Sequence, residues 1–93
     1  MNDLTAFQRD VLWTVAELGD PKGLAIKAEL ENYYGNEVNH GRLYPNLDTL
    51  VEKELIIKSE KDKRTNGYRL SESGRRGLQS RYAWETEKIE GDS

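Results

Sequence analysis

Residues 39–50 read Asn-His-Gly-Arg-Leu-Tyr-Pro-Asn-Leu-Asp-Thr-Leu, and this segment sets the architecture of the chain. Asn39 suits the N-cap of a helix, because its side-chain oxygen accepts a hydrogen bond from a backbone N–H of the first turn. Apolar residues then recur at spacings of four, three and one, at Leu43, Leu47, Leu50 and Val51. This spacing predicts a helix that starts after Asn39 and buries one apolar face.

Pro45 conflicts with a regular helix over this segment. A proline past the first turn removes one backbone hydrogen bond, and its ring clashes with the preceding turn. The sequence leaves two possibilities open: the helix begins later than Asn39 predicts, or it is kinked at Pro45.

Two further helices are predicted before this segment. Thr5 followed three residues later by Gln8 is the pattern of a capping box, and Gly19-Asp20-Pro21 ends the helix that it starts. The apolar stripe of that helix consists of Phe7, Val11, Leu12, Val15 and Leu18. A second helix is predicted over residues 23–34, and Gly35 suits the left-handed conformation of its C-terminal cap.

A β-hairpin and a last helix are predicted after the central segment. Residues 55–59 and 68–70 have the composition of two short strands. The polar segment between them ends in Asn66-Gly67, a strong turn signal. Ser71 is the predicted N-cap of the final helix. A short heptad-like seam on that helix consists of Leu78, Tyr82, Glu85 and Ile89, with Trp84 beside it.

The predicted order of three helices, a hairpin and a fourth helix is that of a winged helix-turn-helix. We therefore expect a mainly α fold with a small β-hairpin (α+β). Ninety-three residues suffice for one compact domain. Within it we assign residues 1–76 to the winged helix-turn-helix and residues 77–93 to the C-terminal part of a dimerisation helix.

The charge is unevenly distributed, although the formal net charge is only −3. Residues 1–37 carry three basic and seven acidic side chains, whereas residues 38–76 carry nine basic and six acidic ones. Residues 77–93 carry two basic and four acidic side chains. The basic surplus coincides with the central helix and the hairpin, and a local basic patch is the electrostatic footprint of a nucleic-acid-binding surface.

The central helix is predicted to enter the major groove of DNA, where Arg can bind guanine and Asn can bind adenine through paired hydrogen bonds. The hairpin would reach the adjacent backbone or minor groove. The predicted DNA-binding residues are Asn39, His40, Arg42, Tyr44 and Asn46 on the helix, and Lys61, Lys63, Arg64, Thr65 and Asn66 on the hairpin. Taken singly, Arg42 and Lys63 are equally compatible with ordinary solvent-exposed charges. The prediction therefore rests on the combination of a capped helix with a polar face and a basic hairpin that follows it.

Dimerisation is predicted from the last helix, because its apolar surface exceeds what one small core needs. The residues assigned to it are Leu78, Tyr82, Trp84 and Ile89. The alternative is that this helix packs on the first helix of its own chain, and both arrangements are compatible on different faces. Trp13, Tyr33 and Tyr34 are expected in the core.

Other functions are disfavoured by composition. The chain has no cysteine and one histidine, and it has no Gly-rich phosphate loop, so an enzyme, a metal site and a cofactor are not expected. No apolar run is long enough for a transmembrane span, and no secretory signal is visible, so a cytoplasmic location is expected.

A family resemblance is carried by the same segments. Residues 41–50 resemble the Gly-x-Leu-Tyr-Pro-x-Leu-x-x-Leu signature of PadR-like transcriptional regulators, and residues 68–74 resemble the Tyr-x-Leu-Thr-x-x-Gly segment of that family. The opening residues 4–10 are similar to the haloarchaeal branch. Two departures stand out: Lys63-Arg64 replaces the Gly-Arg often found at the hairpin tip, and the C-terminal helix is short.

The resemblance implies a homodimer held by the C-terminal helix that binds an inverted-repeat operator, usually as a repressor. The short helix implies that a ligand pocket between subunits is small or absent, and the effector is unknown. The alternative is a winged-helix adaptor that binds proteins and never reads DNA.

Overall fold

The computed structural model describes residues 1–91. These residues form four helices and one two-stranded antiparallel sheet. In chain order the elements are α1 (Ala6–Leu18), α2 (Gly23–Tyr34), α3 (His40–Glu52), β1 (Ile56–Asp62), β2 (Thr65–Leu70) and α4 (Glu72–Glu90). This order confirms the expected α+β winged helix-turn-helix layout. The last two residues of the segment assigned to the dimerisation helix, 92 and 93, lie outside the described residues.

Helix α1 begins at its predicted capping box, and α2 ends at its predicted glycine cap. The Thr5 hydroxyl accepts a hydrogen bond from the Gln8 N–H at 3.1 Å, and Gln8 Oε1 accepts one from the Thr5 N–H at 3.0 Å. This reciprocal pair is a complete capping box for α1. At the end of α2, Gly35 has φ 77° and donates its N–H to the Glu31 carbonyl. That left-handed backbone is strained for residues with a Cβ, which explains the glycine.

The structure rules out a later start for the helix that contains Pro45. The Asn39 side chain accepts a hydrogen bond from the Gly41 N–H, and α3 begins at His40 and runs on through Pro45. Because Pro45 has no N–H, the Gly41 carbonyl loses its usual partner within the helix. Gly41 is exposed, so water can serve that carbonyl. The proline therefore costs less here than in a buried helix.

The predicted Asn66-Gly67 turn is wrong. Both residues lie inside β2, where Gly67 pairs with Ser59, and the turn itself is Lys63-Arg64. Both strands consequently extend closer to the tip than residues 55–59 and 68–70 predicted.

Gly67 lies against the loop that precedes α2. It forms an isolated antiparallel bridge with Lys22, and the Tyr68 N–H next to it donates to the Pro21 carbonyl at 2.9 Å. A Cβ on Gly67 would lie 2.9 Å from the Asp20 side chain. The loop before α2 thus lies against β2 as a partial third strand, and this fixes the hairpin to the helices.

The core lies where α1, α2, α3 and the base of the hairpin meet. Its fully buried side chains are Leu12, Ile26, Leu30, Leu43, Leu47, Leu50, Ile56, Val11, Val15 and Val38. Tyr34 packs against this core as expected. Trp13 and Tyr33 do not, since they are 39% and 76% exposed, so their assignment to the core is wrong.

Helix α4 starts in the core and then leaves it. Leu78 is 2% exposed and belongs to the core cluster, whereas Ile89 is 87% exposed. The first part of α4 therefore packs on its own chain, which was one of the arrangements left open. Within residues 1–91, no helix is both long and apolar enough to traverse a lipid bilayer.

Gly74 allows the base of α4 to approach the chain that precedes β1. A Cβ at Gly74 would lie 2.2 Å from the Leu55 carbonyl oxygen, whereas a Cβ at Gly77 would meet only the flexible end of the Met1 side chain. We expect Gly74→Ala to lower the free energy of unfolding by about 1–3 kcal/mol, because backbone must move to relieve the clash. Urea denaturation of the purified variant measures this.

Gly77→Ala is the matched control, since it makes the same change in the same helix. Alanine is favoured over glycine inside helices by about 0.5–1 kcal/mol. We expect Gly77→Ala to be neutral or stabilising. Equal behaviour of the two variants would contradict the packing argument for Gly74.

Candidate nucleic-acid interface

The first turn of α3 presents its polar residues to solvent. His40 and Arg42 are exposed, and the His40 ring lies 5.5 Å from the Tyr44 ring. The Asn39 side chain is used as the N-cap, so its oxygen already accepts the Gly41 N–H. Of the predicted helix residues, His40 and Arg42 are therefore the most available to a ligand.

Arg42 is held against the first helix rather than extended into solvent. Its guanidinium carbon lies 3.9 Å from the centre of the Phe7 ring, which is itself buried. A guanidinium that stacks by its face keeps its in-plane N–H groups free for hydrogen bonds. The cation–π contact therefore restricts Arg42 to a narrow set of orientations while leaving its donor edge available.

Asn46 is less available than predicted, because its amide is bonded within the protein. Gln8 Nε2 donates to Asn46 Oδ1 at 2.9 Å, and Asn46 Nδ2 donates to the Arg42 carbonyl at 2.7 Å. The same Gln8 closes the capping box of α1. Gln8 thus joins the start of α1 to the middle of α3, a role that its capping pattern did not reveal.

Tyr44 lies at the junction of α3, the start of α2 and the hairpin. A Cβ on Gly23 would lie only 2.9 Å from the Tyr44 ring carbon Cζ, so the glycine makes room for the phenol. A shallow pocket of about 290 Å³ opens here, lined by Lys22, Gly23, Leu24, Tyr44, Arg64, Thr65, Asn66 and Tyr68. Two basic side chains, Lys22 and Arg64, therefore line the same pocket as Tyr44 of the central helix.

Lys22 is a residue that sequence reasoning missed. It directly precedes α2, whose N-terminal backbone N–H groups and dipole favour an anion. The available signal was its position between the Gly-Asp-Pro stop of α1 and the helix that follows.

The tip of the hairpin contains Lys63 and Arg64, and both are exposed. Lys61 differs from the prediction, because it lies in β1 and its ammonium group pairs with the Asp20 carboxylate. This pairing offsets its charge and ties the hairpin to the loop before α2. Thr65 is half-buried at the start of β2, and Asn66 is exposed opposite Glu60.

The Asp62 carboxylate organises the turn. It accepts a hydrogen bond from the Arg64 N–H at 3.0 Å and one from the Thr65 hydroxyl group. These bonds favour the charged form and hold the pKa of Asp62 below its usual value of 3.8. The turn that carries the two basic tip residues is thus stabilised by a neighbouring negative charge.

The predicted dimerisation residues occupy different environments. Leu78 is buried in its own chain, whereas Tyr82, Trp84 and Ile89 are exposed. The guanidinium group of Arg81 lies over the Trp84 ring at 4.5 Å. A largely apolar groove of about 270 Å³ runs between α1 and α4 beside Tyr82, lined by Trp13, Ala16, Leu70, Arg75, Leu78, Gln79 and Tyr82.

The sequence profile of the transcriptional regulator PadR-like family matches residues 11–80, which include the central helix, the hairpin and the start of α4. The chain belongs to the PadR-like family of transcriptional regulators. This membership confirms the family resemblance and the expectation that the protein is a regulator rather than an enzyme. No curated protein sequence is similar enough to this PadR-like chain to add to that assignment.

Comparison with solved structures shows which members of the family this protein is similar to. Two structures of H. salinarum RosR each share 53% identity with it over 98% of this chain. The complex structure of hsRosR-S1 is covered over 80% of its length with a TM-score of 0.92, and RosR grown from NaBr over 82% with a TM-score of 0.91. This similarity confirms the resemblance to the haloarchaeal branch of the family. Streptococcus pneumoniae FabT in complex with DNA shares 21% identity over 98% of this chain and 64% of its own, with a TM-score of 0.74, and shows the fold alone.

The lowered pKa of Asp62 gives the hairpin tip a specific pH dependence. Because the folded-state pKa lies below 3.8, the stabilisation from this carboxylate is complete above that pH and is lost as the pH falls through the folded-state value. We expect the Arg64 amide resonance, followed by NMR, to titrate with a midpoint below 3.8.

Thr65→Val tests the cause, because it removes the hydroxyl group that donates to Asp62. We expect this variant to raise the midpoint toward 3.8, and Asp62→Asn to abolish the titration. A midpoint at or above the usual value in the unaltered protein would contradict the hydrogen-bonding scheme.

Proposed function

We propose that this PadR-like protein is a homodimeric repressor that binds an inverted-repeat DNA operator in a sequence-specific manner. One observation carries the proposal: the central helix and the hairpin meet in a single pocket that contains Tyr44, Lys22 and Arg64. Because two cationic side chains, Lys22 before α2 and Arg64 at the hairpin turn, lie beside Tyr44 of α3, one DNA duplex can contact all three together.

In this proposal α3 occupies the major groove and reads bases through its first turn. Arg42 offers paired N–H donors of the kind that bind guanine, and His40 lies one turn before Tyr44. Lys63 and Arg64 contact phosphates or the minor groove beside it, and Lys22 with the start of α2 binds a phosphate. Asn46 serves mainly to position α3, since its amide is bonded to Gln8.

The dimer is supported by apolar surface that the single chain leaves uncovered. Tyr82 is 61% exposed, and it borders the groove between α1 and α4. A second copy of α4 seated along this groove would cover Tyr82 and Ile89. A two-fold dimer then binds two half-sites about 10 base pairs apart, or a multiple of that distance, and blocks other proteins from the DNA between them.

The similarity to RosR of H. salinarum supports an archaeal, halophilic setting and action inside the cytoplasm, where the genome is. At molar salt the Debye length is about 3 Å, so attraction between exposed charges and DNA is strongly screened. In such a setting Arg42 and other direct base contacts supply more of the specificity than long-range charge does.

We expect substitution of Arg42 and of Lys63 by alanine to weaken DNA binding in different ways. On a site selected from random DNA, Arg42→Ala should cost about 1–3 kcal/mol of binding free energy, and it should relax the preference at one base position. Lys63→Ala should weaken binding to all sequences alike and reduce the salt slope by about 1. Fluorescence anisotropy at several salt concentrations measures both.

Lys61→Ala is the matched control for Lys63→Ala, because its ammonium group is already paired with Asp20. We expect it to change the salt slope less. If Arg42→Ala leaves binding to every DNA unchanged while partner-protein binding persists, the adaptor alternative replaces this proposal.

The proposed interface predicts the oligomeric state of variants. Ile89→Asp together with Tyr82→Asp should convert a particle of twice the chain mass into a monomer, since charge would be buried without a partner. Light scattering at micromolar concentration measures this. Ser80→Asp, an exposed change elsewhere on α4, should leave the dimer intact. A monomeric mass for the unaltered protein would overturn the homodimer.

A further inference from the structure

A second pocket lies between α1 and α2, and nothing in the proposed DNA-binding function uses it. Its volume is about 250 Å³, and it is lined by Asp10, Trp13, Thr14, Glu17, Glu29, Leu30 and Tyr33. Since a water molecule in the liquid takes up about 30 Å³, the pocket holds about eight waters or one small organic molecule.

The charge of this pocket is entirely negative. Asp10, Glu17 and Glu29 line it, and no lysine or arginine is among its lining residues. Within residues 1–91, none of these three carboxylates forms an ion pair, in contrast to Glu31, which pairs with Lys27, and Glu85, which pairs with Arg81. A cation that enters the pocket would therefore meet three carboxylates without a cationic partner.

Two aromatic side chains line the same pocket: Trp13, which also borders the groove between α1 and α4, and Tyr33, whose ring lies 5.5 Å from the Tyr34 ring. Trp13 and Tyr33 are large side chains that remain exposed to solvent, although both were expected in the core. The faces of such rings carry negative potential and attract cations within about 6 Å of the ring centre. Aromatic faces beside carboxylates make up the surroundings in which proteins hold quaternary ammonium groups.

The helix ends add to this field. Glu17 lies in the last turn of α1, and neither α1 nor α2 has a basic residue in its last turn. The C-terminal end of a helix carries a partial negative charge that a cation normally offsets. Here that offset is missing at the end of both helices that form the pocket.

We propose that this pocket binds a small organic cation of the quaternary ammonium class. The carboxylates supply the net charge, the indole of Trp13 and the phenol of Tyr33 supply cation–π contacts, and Leu30 supplies an apolar floor. A neutral molecule of the same shape would gain only the apolar contact.

The pocket is connected to α3 through a short series of contacts. Tyr34 donates its hydroxyl hydrogen to Asp10 Oδ2 at 2.6 Å, and the Tyr34 ring stacks on Phe7 with centroids 6.3 Å apart. The guanidinium group of Arg42 in turn lies over the Phe7 ring. A cation that draws on the Asp10 carboxylate competes with the Tyr34 hydroxyl group, and this shifts the rings that orient Arg42. This coupling, unlike the binding itself, rests on the proposed DNA-binding function.

Binding is tested with choline chloride as the probe and 3,3-dimethylbutan-1-ol as its neutral isostere. The chain has two tryptophans, so Trp84→Phe leaves Trp13 as the only indole reporter. At constant ionic strength we expect choline to give a saturable change in Trp13 fluorescence and the isostere to give none. A response that does not saturate, or one equal for both molecules, would overturn the site.

Variants locate the site by calorimetry on the otherwise unaltered chain. We expect Trp13→Leu and Glu29→Gln each to weaken choline binding by about tenfold, from the loss of one cation–π contact or one charge. Glu60→Gln, an exposed carboxylate on β1, is the matched control and should bind choline normally. Unchanged binding in Trp13→Leu and Glu29→Gln would refute the assignment.

The coupling is tested separately, by measuring DNA affinity with and without saturating choline. We expect choline to change the affinity for a selected site in the unaltered protein but not in Tyr34→Phe, which cannot donate to Asp10. If choline binds without any effect on DNA affinity, the coupling is refuted but the proposed choline site stands. If no DNA is bound at all, the proposed function fails while the choline titration still decides the site.

Discussion

Burial of the apolar face of α3 is the constraint on which the rest of the structure depends. Leu43, Leu47 and Leu50 are completely buried, and they fix the rotation of the helix about its own axis. Once these three side chains face the core, His40 and Arg42 must face solvent. The hydrogen bond between Gln8 and Asn46 then ties α3 to the start of α1.

The position of the hairpin is set by its contacts with the loop before α2 rather than by its own turn. Gly67 lies against Lys22, Tyr68 is bonded to Pro21, and Lys61 pairs with Asp20. An isolated two-stranded hairpin is only marginally stable in water, so this attachment to the loop before α2 gives the tip a defined position. The same attachment places Lys22 beside Arg64 at one end of α3.

The division of charge follows from this arrangement. Arg42 is exposed in the first turn of α3, and Lys63 and Arg64 are exposed at the hairpin tip, while acidic side chains of α1 and α2 line a pocket with Trp13 and Tyr33. The small acidic net charge of −3 therefore combines two surfaces of opposite character. A series of ring contacts connects the two surfaces: the Tyr34 ring stacks on Phe7, and Arg42 lies over the Phe7 ring.

The sequence by itself determined the order and the ends of the helices, because capping residues such as Thr5, Asn39 and Gly35 act within one turn of their own position. It also indicated the family and the exposed Arg42. Only the tertiary structure decided that Gly67 lies in a strand, that Asn46 and Lys61 are bonded to Gln8 and Asp20, and that Trp13 and Tyr33 face solvent. The contacts of Asn46, Lys61 and Gly67 join residues 38, 41 and 45 positions apart in the sequence. The exposure of Trp13 and Tyr33 depends on which face of a helix has a neighbour, and local patterns carry no information about either.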